Sequence, residues 1–182
     1  GARAAFGATR DNGGAFLAGA AYVFDFDGAN WVQSAQILAS DPQTADNFGI
    51  AIDIDGDVLV VGANNEDQLG ADAGAVYIYR FDGANWNQEI KLLGSDSDAG
   101  DLFGAALALD GDTLLVGAPG RQNGGKVYAY RHDGASWVSE GSFAGNDTLA
   151  NDAFGDGIGV EGDTAVIGAP LGGDGGSESG AI

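Results

Sequence analysis

The sequence predicts an all-β fold, a β-propeller of four-stranded antiparallel blades, and three observations predict it. The segment Phe48–Ala63 returns as Phe103–Ala118 and again as Phe154–Ala169, at steps of 55 and 51 residues. Trp31, Trp86 and Trp137 keep the same steps, as do Tyr22, Tyr77 and Tyr128. Each unit contains several short apolar runs divided by turn residues, and no helix signal of useful length interrupts them. A period near 50 with several strands per unit is the mark of a propeller or a related array.

The phase of the repeat sets the domain organisation. Gly1 is level with Gly56, Gly111 and Gly162, so three periods take 161 of the 182 residues. The remaining 21 end at Gly180-Ala181-Ile182, level with Gly74-Ala75-Val76. The chain is therefore expected to be a single propeller segment over 1–182. Its units run 1–45 (partial), 46–100, 101–151 and 152–182 (partial), about three and a half blades. A start inside one unit and an end inside another suggest a piece of something longer.

The elements of one unit follow in order. From Phe48, the residues Phe48, Ile50, Ile52 and Ile54 alternate with Gly49, Ala51 and Asp53, the period of a strand. The alternate positions are nearly all small across the three copies, which suits the strand nearest a crowded central axis. Asp55-Gly56, Asp110-Gly111 and Glu161-Gly162 then read as two-residue hairpin turns with positive φ at both residues. The next run, Val58–Val61, is continuously apolar, as expected of a strand buried on both faces. It stops at Gly62-Ala63, Gly117-Ala118-Pro119 and Gly168-Ala169-Pro170.

A loop of variable length leads to a third strand, Ala75–Tyr79, matched by Ala20–Phe24 and Lys126–Tyr130. A second Asp-Gly turn follows at Asp27-Gly28, Asp82-Gly83 and Asp133-Gly134. The fourth strand, Trp86 to Leu93, mixes Asn87, Gln88, Glu89 and Lys91 with apolar residues, as an outer edge should.

Composition excludes several functions. Twenty-seven acidic against seven basic residues give a net charge of −20. Such a chain is repelled by phosphate backbones and anionic lipid, so nucleic-acid binding and membrane insertion are not expected. The absence of cysteine removes disulfides and thiolate metal sites. The 33 glycines stand at fixed offsets among apolar runs, the pattern of a turn-rich folded protein.

Phe-Gly followed about a dozen residues later by Gly-Ala-Pro, then Gly-Ala-Val-Tyr and Trp, resembles the FG-GAP repeat in its bacterial secreted form. The same repeat builds the seven-bladed propeller of integrin α-subunits. The resemblance covers essentially the whole chain and implies that these residues supply about half of a seven-bladed disc. It does not carry the integrin calcium loops with it. The corresponding interval here shrinks to Asp53–Asp57, Ala108–Asp112 and Val160–Asp163. Calcium takes about six to eight oxygens, usually from a longer loop. The aspartates of these turns are therefore expected to shape the turn. No cofactor is assigned, and calcium stays an alternative without committed ligands.

Other candidate sites compete with plain structural roles. Asp46, Asp101 and Asp152 each stand two residues before Phe-Gly in acidic inter-unit loops. They could share cations, but recurrence in every unit favours capping of the turn. The three tryptophans could form a sugar platform, and their identical placement favours packing between blades instead. His132, the single histidine, replaces Phe26 and Phe81 and lacks a nucleophile at a recognisable spacing. The carboxylate pairs Asp96/Asp98 and Asp174/Glu178 lie in solvated loops and do not argue a glycosidase. The Asn146-Asp147-Thr148 sequon reads as a chance match.

The irregular segments are the loops between second and third strands, which a propeller places on one rim. Arg10, Phe16, Arg121 and Gln122 are the candidate ligand-binding residues there, because a cationic or aromatic side chain in acidic surroundings makes an anchor. The expected function is a non-catalytic extracellular or cell-surface binding and adhesion scaffold with a protein or glycan partner. A structural subunit of a filament, sheath or stalk is the first alternative. An enzyme whose site lies in other blades is the second. Unpaired blade faces further imply self-association, or additional blades that complete the ring.

Overall fold

A computed structural model describes residues 1–120, 124–146 and 148–172. Thirteen strands are present among them, and no helix. β1 (Arg3–Ala8), β2 (Ala20–Phe26) and β3 (Trp31–Ile37) form the first sheet. β4 (Ile52–Asp55), β5 (Val58–Ala63), β6 (Ala75–Phe81) and β7 (Trp86–Leu92) form the second. β8 (Ala106–Asp110), β9 (Thr113–Ala118), β10 (Lys126–His132) and β11 (Trp137–Phe143) form the third, and β12 (Gly157–Glu161) with β13 (Thr164–Gly168) the last. Every pairing is antiparallel and links chain neighbours. These are propeller blades, and each touches the next along the chain: β1 against β4, β4 against β8, β8 against β12.

The first strand of each blade is shorter than its alternation suggested. Phe48 lies outside β4, fully buried, while Ile50 is exposed. The cause is the corner around it: Asn47 has φ 59° and Gly49 φ 92°, conformations that break a strand. Phe48 instead makes an isolated parallel bridge to Gly19 of the preceding blade, repeated as Gly74 with Phe103 and Gly125 with Phe154. The Phe-Gly element is thus a hinge between blades.

The first hairpin also differs in detail. The loop residues are Gly56-Asp57, flanked by the pair Asp55 and Val58. Only the glycine has positive φ, 55°. Glycine at the first central position with an ordinary second residue is the pattern of a type II′ turn. Gly111 and Gly162 repeat it with φ 54° and 55°.

Core burial follows the two-sided design. Along β5 every residue from Val58 to Ala63 is buried. Leu59, Val61, Tyr77 and Tyr79 pack with Ala21, Val23 and Ile37 of the first sheet. Val58, Val60, Val76 and Ile78 pack with Leu114, Val116, Tyr128 and Tyr130 of the third. Each blade therefore turns an aromatic leading face to its predecessor and an aliphatic trailing face to its successor. The tryptophans follow this logic: Trp137, wedged against the second blade, is 6 % exposed, whereas Trp31, on the first sheet, is 50 % exposed. Burying an aromatic of this size contributes about 2–3 kcal/mol. The outer strands β3 and β11 are mostly exposed, and β7 is exposed through its middle, Asn87–Glu89. A bulge between third and fourth strands, at Val23/Phe24, Ile78/Tyr79 and Ala129/Tyr130, twists those edges.

The joint between blades is made of bare backbone. A Cβ placed on Gly62 would overlap the carbonyl oxygen of Gly104, and Gly7 with Gly49 and Gly117 with Gly155 repeat the clash. The glycine of Gly-Ala in one blade thus lies directly on the glycine of Phe-Gly in the next.

Candidate functional site

Two rims result from the alternating strand directions. On one lie the loops between second and third strands, together with the loops that lead into the next blade. They are tied by backbone hydrogen bonds: Ala45 N–H donates to Phe16 O (3.1 Å), Asn65 N–H to Asp46 O (3.2 Å), Leu102 N–H to Asp72 O (3.1 Å). The other rim carries the hairpin turns at Gly56, Gly111 and Gly162 and the turns at Asp27, Asp82 and Asp133.

The loop rim holds the candidate binding residues. Arg10 and Phe16 share the loop between β1 and β2, and both are exposed, Phe16 to 64 %. Asn12 Oδ1 accepts from Leu17 N–H and Asp11 Oδ1 from Gly13 N–H, which fixes this loop from within. Arg121 and Gln122 lie outside the described residues. Five of the other cations are held by carboxylates: Arg3 by Asp25, Arg80 by Glu89, Lys91 by Asp41 and Glu66, Lys126 by Asp96, Arg131 by Glu140. Among the described residues, Arg10 is the one arginine or lysine without such a partner.

Acidic side chains on this rim are mostly spent on the fold. Asp46 Oδ2 accepts from Gln43 N–H (2.7 Å), Asp101 Oδ2 from Asp98 N–H (2.9 Å) and Asp152 Oδ2 from Leu149 N–H (2.6 Å). The aspartates before Phe-Gly are turn caps. Burial pushes the Asp46 carboxyl above its usual range, against the lowering effect of the Gln43 bond. Its second oxygen, Oδ1, has no hydrogen-bond partner.

A network invisible in the motif pattern sits beside it. Lys91 Nζ reaches Asp41 (2.7 Å) and Glu66 (2.9 Å), and Glu66 is 1 % exposed. The Tyr77 hydroxyl donates to Asp41 Oδ1 (2.7 Å). Burial opposes ionisation of Asp41 and Lys91, but their mutual contact wins, lowering the first and raising the second. In the next blade Lys126 and the Tyr128 hydroxyl both bond Asp96, at 2.6 Å each. Lys91 is on a fourth strand and Lys126 on a third, so the shared design escapes a position-by-position comparison. Its sequence signal is the recurring Ser-Asp at 40–41 and 95–96 opposite a recurring Tyr.

At the short turns the aspartate oxygens are engaged by backbone donors. Asp53 Oδ1 accepts from Ile54 N–H and Oδ2 from Leu109 N–H of the next blade, both at 2.8 Å. Asp55 Oδ2 accepts from Gly111 N–H (2.8 Å), and Asp110 Oδ2 from Gly162 N–H (2.6 Å). These oxygens face protein donors rather than a shared centre, so the residues do not fit an integrin-type calcium loop. No group of three or more His, Asp or Glu is placed to hold a metal among the described residues.

On the opposite rim His132 contacts Glu89 Oε1 (3.3 Å), and its ring lies 5.3 Å from that of Trp137. It takes the place that Phe26 and Phe81 take against Trp31 and Trp86. The carboxylates of Asp27, Asp82 and Asp133 each accept two backbone N–H bonds within their turns, which holds their pKa below the usual range.

Successive antiparallel sheets, two of them four-stranded among the described residues, joined by Phe-Gly corners define a propeller-type repeat scaffold. The model for the FG-GAP repeat matches residues 31–79, 86–130 and 137–182, and the chain belongs to that family. Each match begins at a tryptophan; the first two take the fourth strand of one blade with three strands of the next, and the third takes β11 with β12 and β13 among the described residues. No curated protein matches the chain.

Proposed function

We propose that this chain is a non-catalytic binding scaffold that works outside the cell or on its surface. The loop rim carries recognition of a protein or glycan partner. One observation supports the reading above others: Arg10 makes no ion pair with any described residue and shares its exposed loop with Phe16, on a rim whose other described cations, Lys91 and Lys126, are held by carboxylates. A guanidinium and an aromatic ring that do no structural work are the pair that anchors an interface. The family is built from propeller repeats, and a fold of this kind hosts many jobs, so the site and not the fold bears the claim.

The test uses the full chain, labelled and applied to an array of immobilised acidic and neutral glycans and extracellular-matrix proteins. Specific binding that falls at least tenfold in both Arg10→Glu and Phe16→Ala, at unchanged melting temperature, supports it. Binding that survives both substitutions, or none at all across the array, refutes it.

A further inference from the structure

The loop between β1 and β2 and the loop between β5 and β6 are two versions of one design. Asp11 N–H donates to Ala8 O and Glu66 N–H to Ala63 O, while Gly19 N–H donates to Asp11 O and Gly74 N–H to Glu66 O. Leu17 and Asp72 share a positive φ, 55° and 56°. The side-chain bonds repeat as well. Asn12 Oδ1 accepts from Leu17 N–H, and Asp67 Oδ1 from Asp72 N–H, both at 2.8 Å. Asp11 Oδ1 accepts from Gly13 N–H (2.7 Å), as Glu66 Oε2 accepts from Gln68 N–H (3.1 Å). The second blade thus has an aspartate where the first has an asparagine, and the same bond serves both.

The difference matters chemically because Gly13 follows Asn12. An asparagine side-chain carbonyl carbon is open to attack by the backbone nitrogen of the next residue, and a glycine there has no Cβ to shield that nitrogen. Two groups that the reaction needs are in place. The Gly13 N–H is held by a carboxylate that can take its proton. The Asn12 side-chain oxygen, which gathers negative charge during attack, is held by the Leu17 N–H. The Tyr22 hydroxyl, 2.6 Å from Asp11 Oδ2, fixes the base. Asn12 is exposed, so water reaches it. Asp67 is exposed too, in a sheet packed between two others, so exposure at this position belongs to the loop design.

We propose that Asn12 is a self-modifying residue, converted to aspartate and isoaspartate by intramolecular deamidation. Gly13 N bonds to Asn12 Cγ as its proton passes to Asp11. The Cγ–Nδ2 bond then breaks, and Nδ2 leaves as ammonia with that proton. Water opens the resulting cyclic imide, at Cγ to give aspartate or at the Asn12 backbone carbonyl to give isoaspartate. The aspartate product reproduces Asp67 and its bond to the turn, so the loop accepts it. The new carboxylate lies two residues from Arg10 and weakens the hold of this loop on an anionic partner. That consequence rests on the proposed function, whereas the chemistry does not.

Timed incubation of the folded full chain in warm neutral buffer, followed by peptide mass spectrometry, reads the replacement of the Asn12 amide by an acid. A synthetic peptide of residues 8–19 gives the rate of the sequence alone. The folded chain is expected to convert about tenfold faster than the peptide, because only the fold supplies a placed base and a placed donor. Asp11→Asn and Gly13→Gln, the latter copying the second blade, each slow the folded chain by about tenfold. Asp11→Asn has little effect in the peptide. Asn12→Asp keeps the melting temperature of the unmodified chain. A folded rate at or below that of the peptide overturns the proposal. So does an Asp11→Asn chain that retains its native circular dichroism and converts at the original rate.

Discussion

The carboxylate of Asp55 in one blade accepts the backbone N–H of Gly111 in the next, at 2.8 Å. The hairpin glycine is a loop residue beyond the last ladder pair, Asp110 with Thr113, so its N–H has no partner in its own hairpin, and the neighbouring blade supplies the acceptor. Asp110 with Gly162 repeats the bond at 2.6 Å. A net hydrogen bond to a charged group is worth about 1.5–3 kcal/mol, less at an exposed site. Asp55→Ala is therefore expected to lower the urea midpoint by the equivalent of about 1 kcal/mol with an unchanged slope. Asp55→Ala with Asp110→Ala should cost about twice that, because the two joints are separate.

Gly62 and Gly168 form a matched pair for testing the glycine joint. Neither has positive φ, so backbone conformation tolerates alanine at both. Gly62→Ala drives a methyl into the Gly104 carbonyl and should destabilise by about 3 kcal/mol or more. Gly168→Ala places its methyl in ordinary van der Waals contact, 3.7 Å from Gly157 O, and should stay within about 0.5 kcal/mol. Chemical denaturation of the two variants checks both values.

Lys91 and Lys126 differ in what they leave behind when removed. Lys91→Ala strands the buried Glu66 carboxylate, an expected loss of about 3–5 kcal/mol. Lys126→Ala exposes an already half-exposed Asp96 and should cost about 1 kcal/mol or less. A double-mutant cycle with Glu66→Gln isolates the buried pair, since glutamine removes the stranded charge and should recover much of the Lys91→Ala loss.

Acid stability follows from opposite carboxylates. Asp27, Asp82, Asp133, Asp41 and Asp96 have folded pKa values below the unfolded value, near 3.9. Their stabilisation is full above that value and is lost as pH falls through the lower, folded values. Asp46 works in reverse: its folded pKa is raised, so its contribution is present at low pH and lost as pH rises. Asp46→Asn keeps an acceptor for Gln43 N–H without the buried charge. It is expected to raise the melting temperature at pH 7, by the equivalent of about 1 kcal/mol, and to have little effect below pH 3.

All five tyrosines have raised pKa values. Burial is the main cause at Tyr77, Tyr79, Tyr128 and Tyr130, the last pushed to about 12, and a bond to Asp11 is the cause at Tyr22. Their contribution is present below the unfolded pKa, about 10, and disappears as pH climbs through the folded values. Phenolate absorbance should therefore lag behind pH 10 and appear together with loss of native circular dichroism.

Much of the fold was legible because its physics is periodic. The step from Trp31 to Trp86 to Trp137, the apolar run at Val58–Val61 and the turn glycines reported blade, core strand and hairpin before any coordinates. The start of the first strand was not legible, since Phe48, Ile50 and Ile52 alternate perfectly while Gly49 turns the chain between them. Nor could the sequence show that Asp55 reaches across to Gly111, because hairpin and joint use the same residues. At the candidate site, Arg10 stood out by its charge. That it alone among the described lysines and arginines lacks a carboxylate emerged only when Lys91 and Lys126, from different strands, were seen to grip Asp41 and Asp96.

The contact of Gly62 with Gly104 carries no side-chain code. Two bare stretches of main chain recognise only each other's shape, and the specificity of the joint comes from the side chains packed and bonded around them. The glycine seat thereby fixes how closely successive units approach, and a bulkier residue on either side would push every later unit out of line.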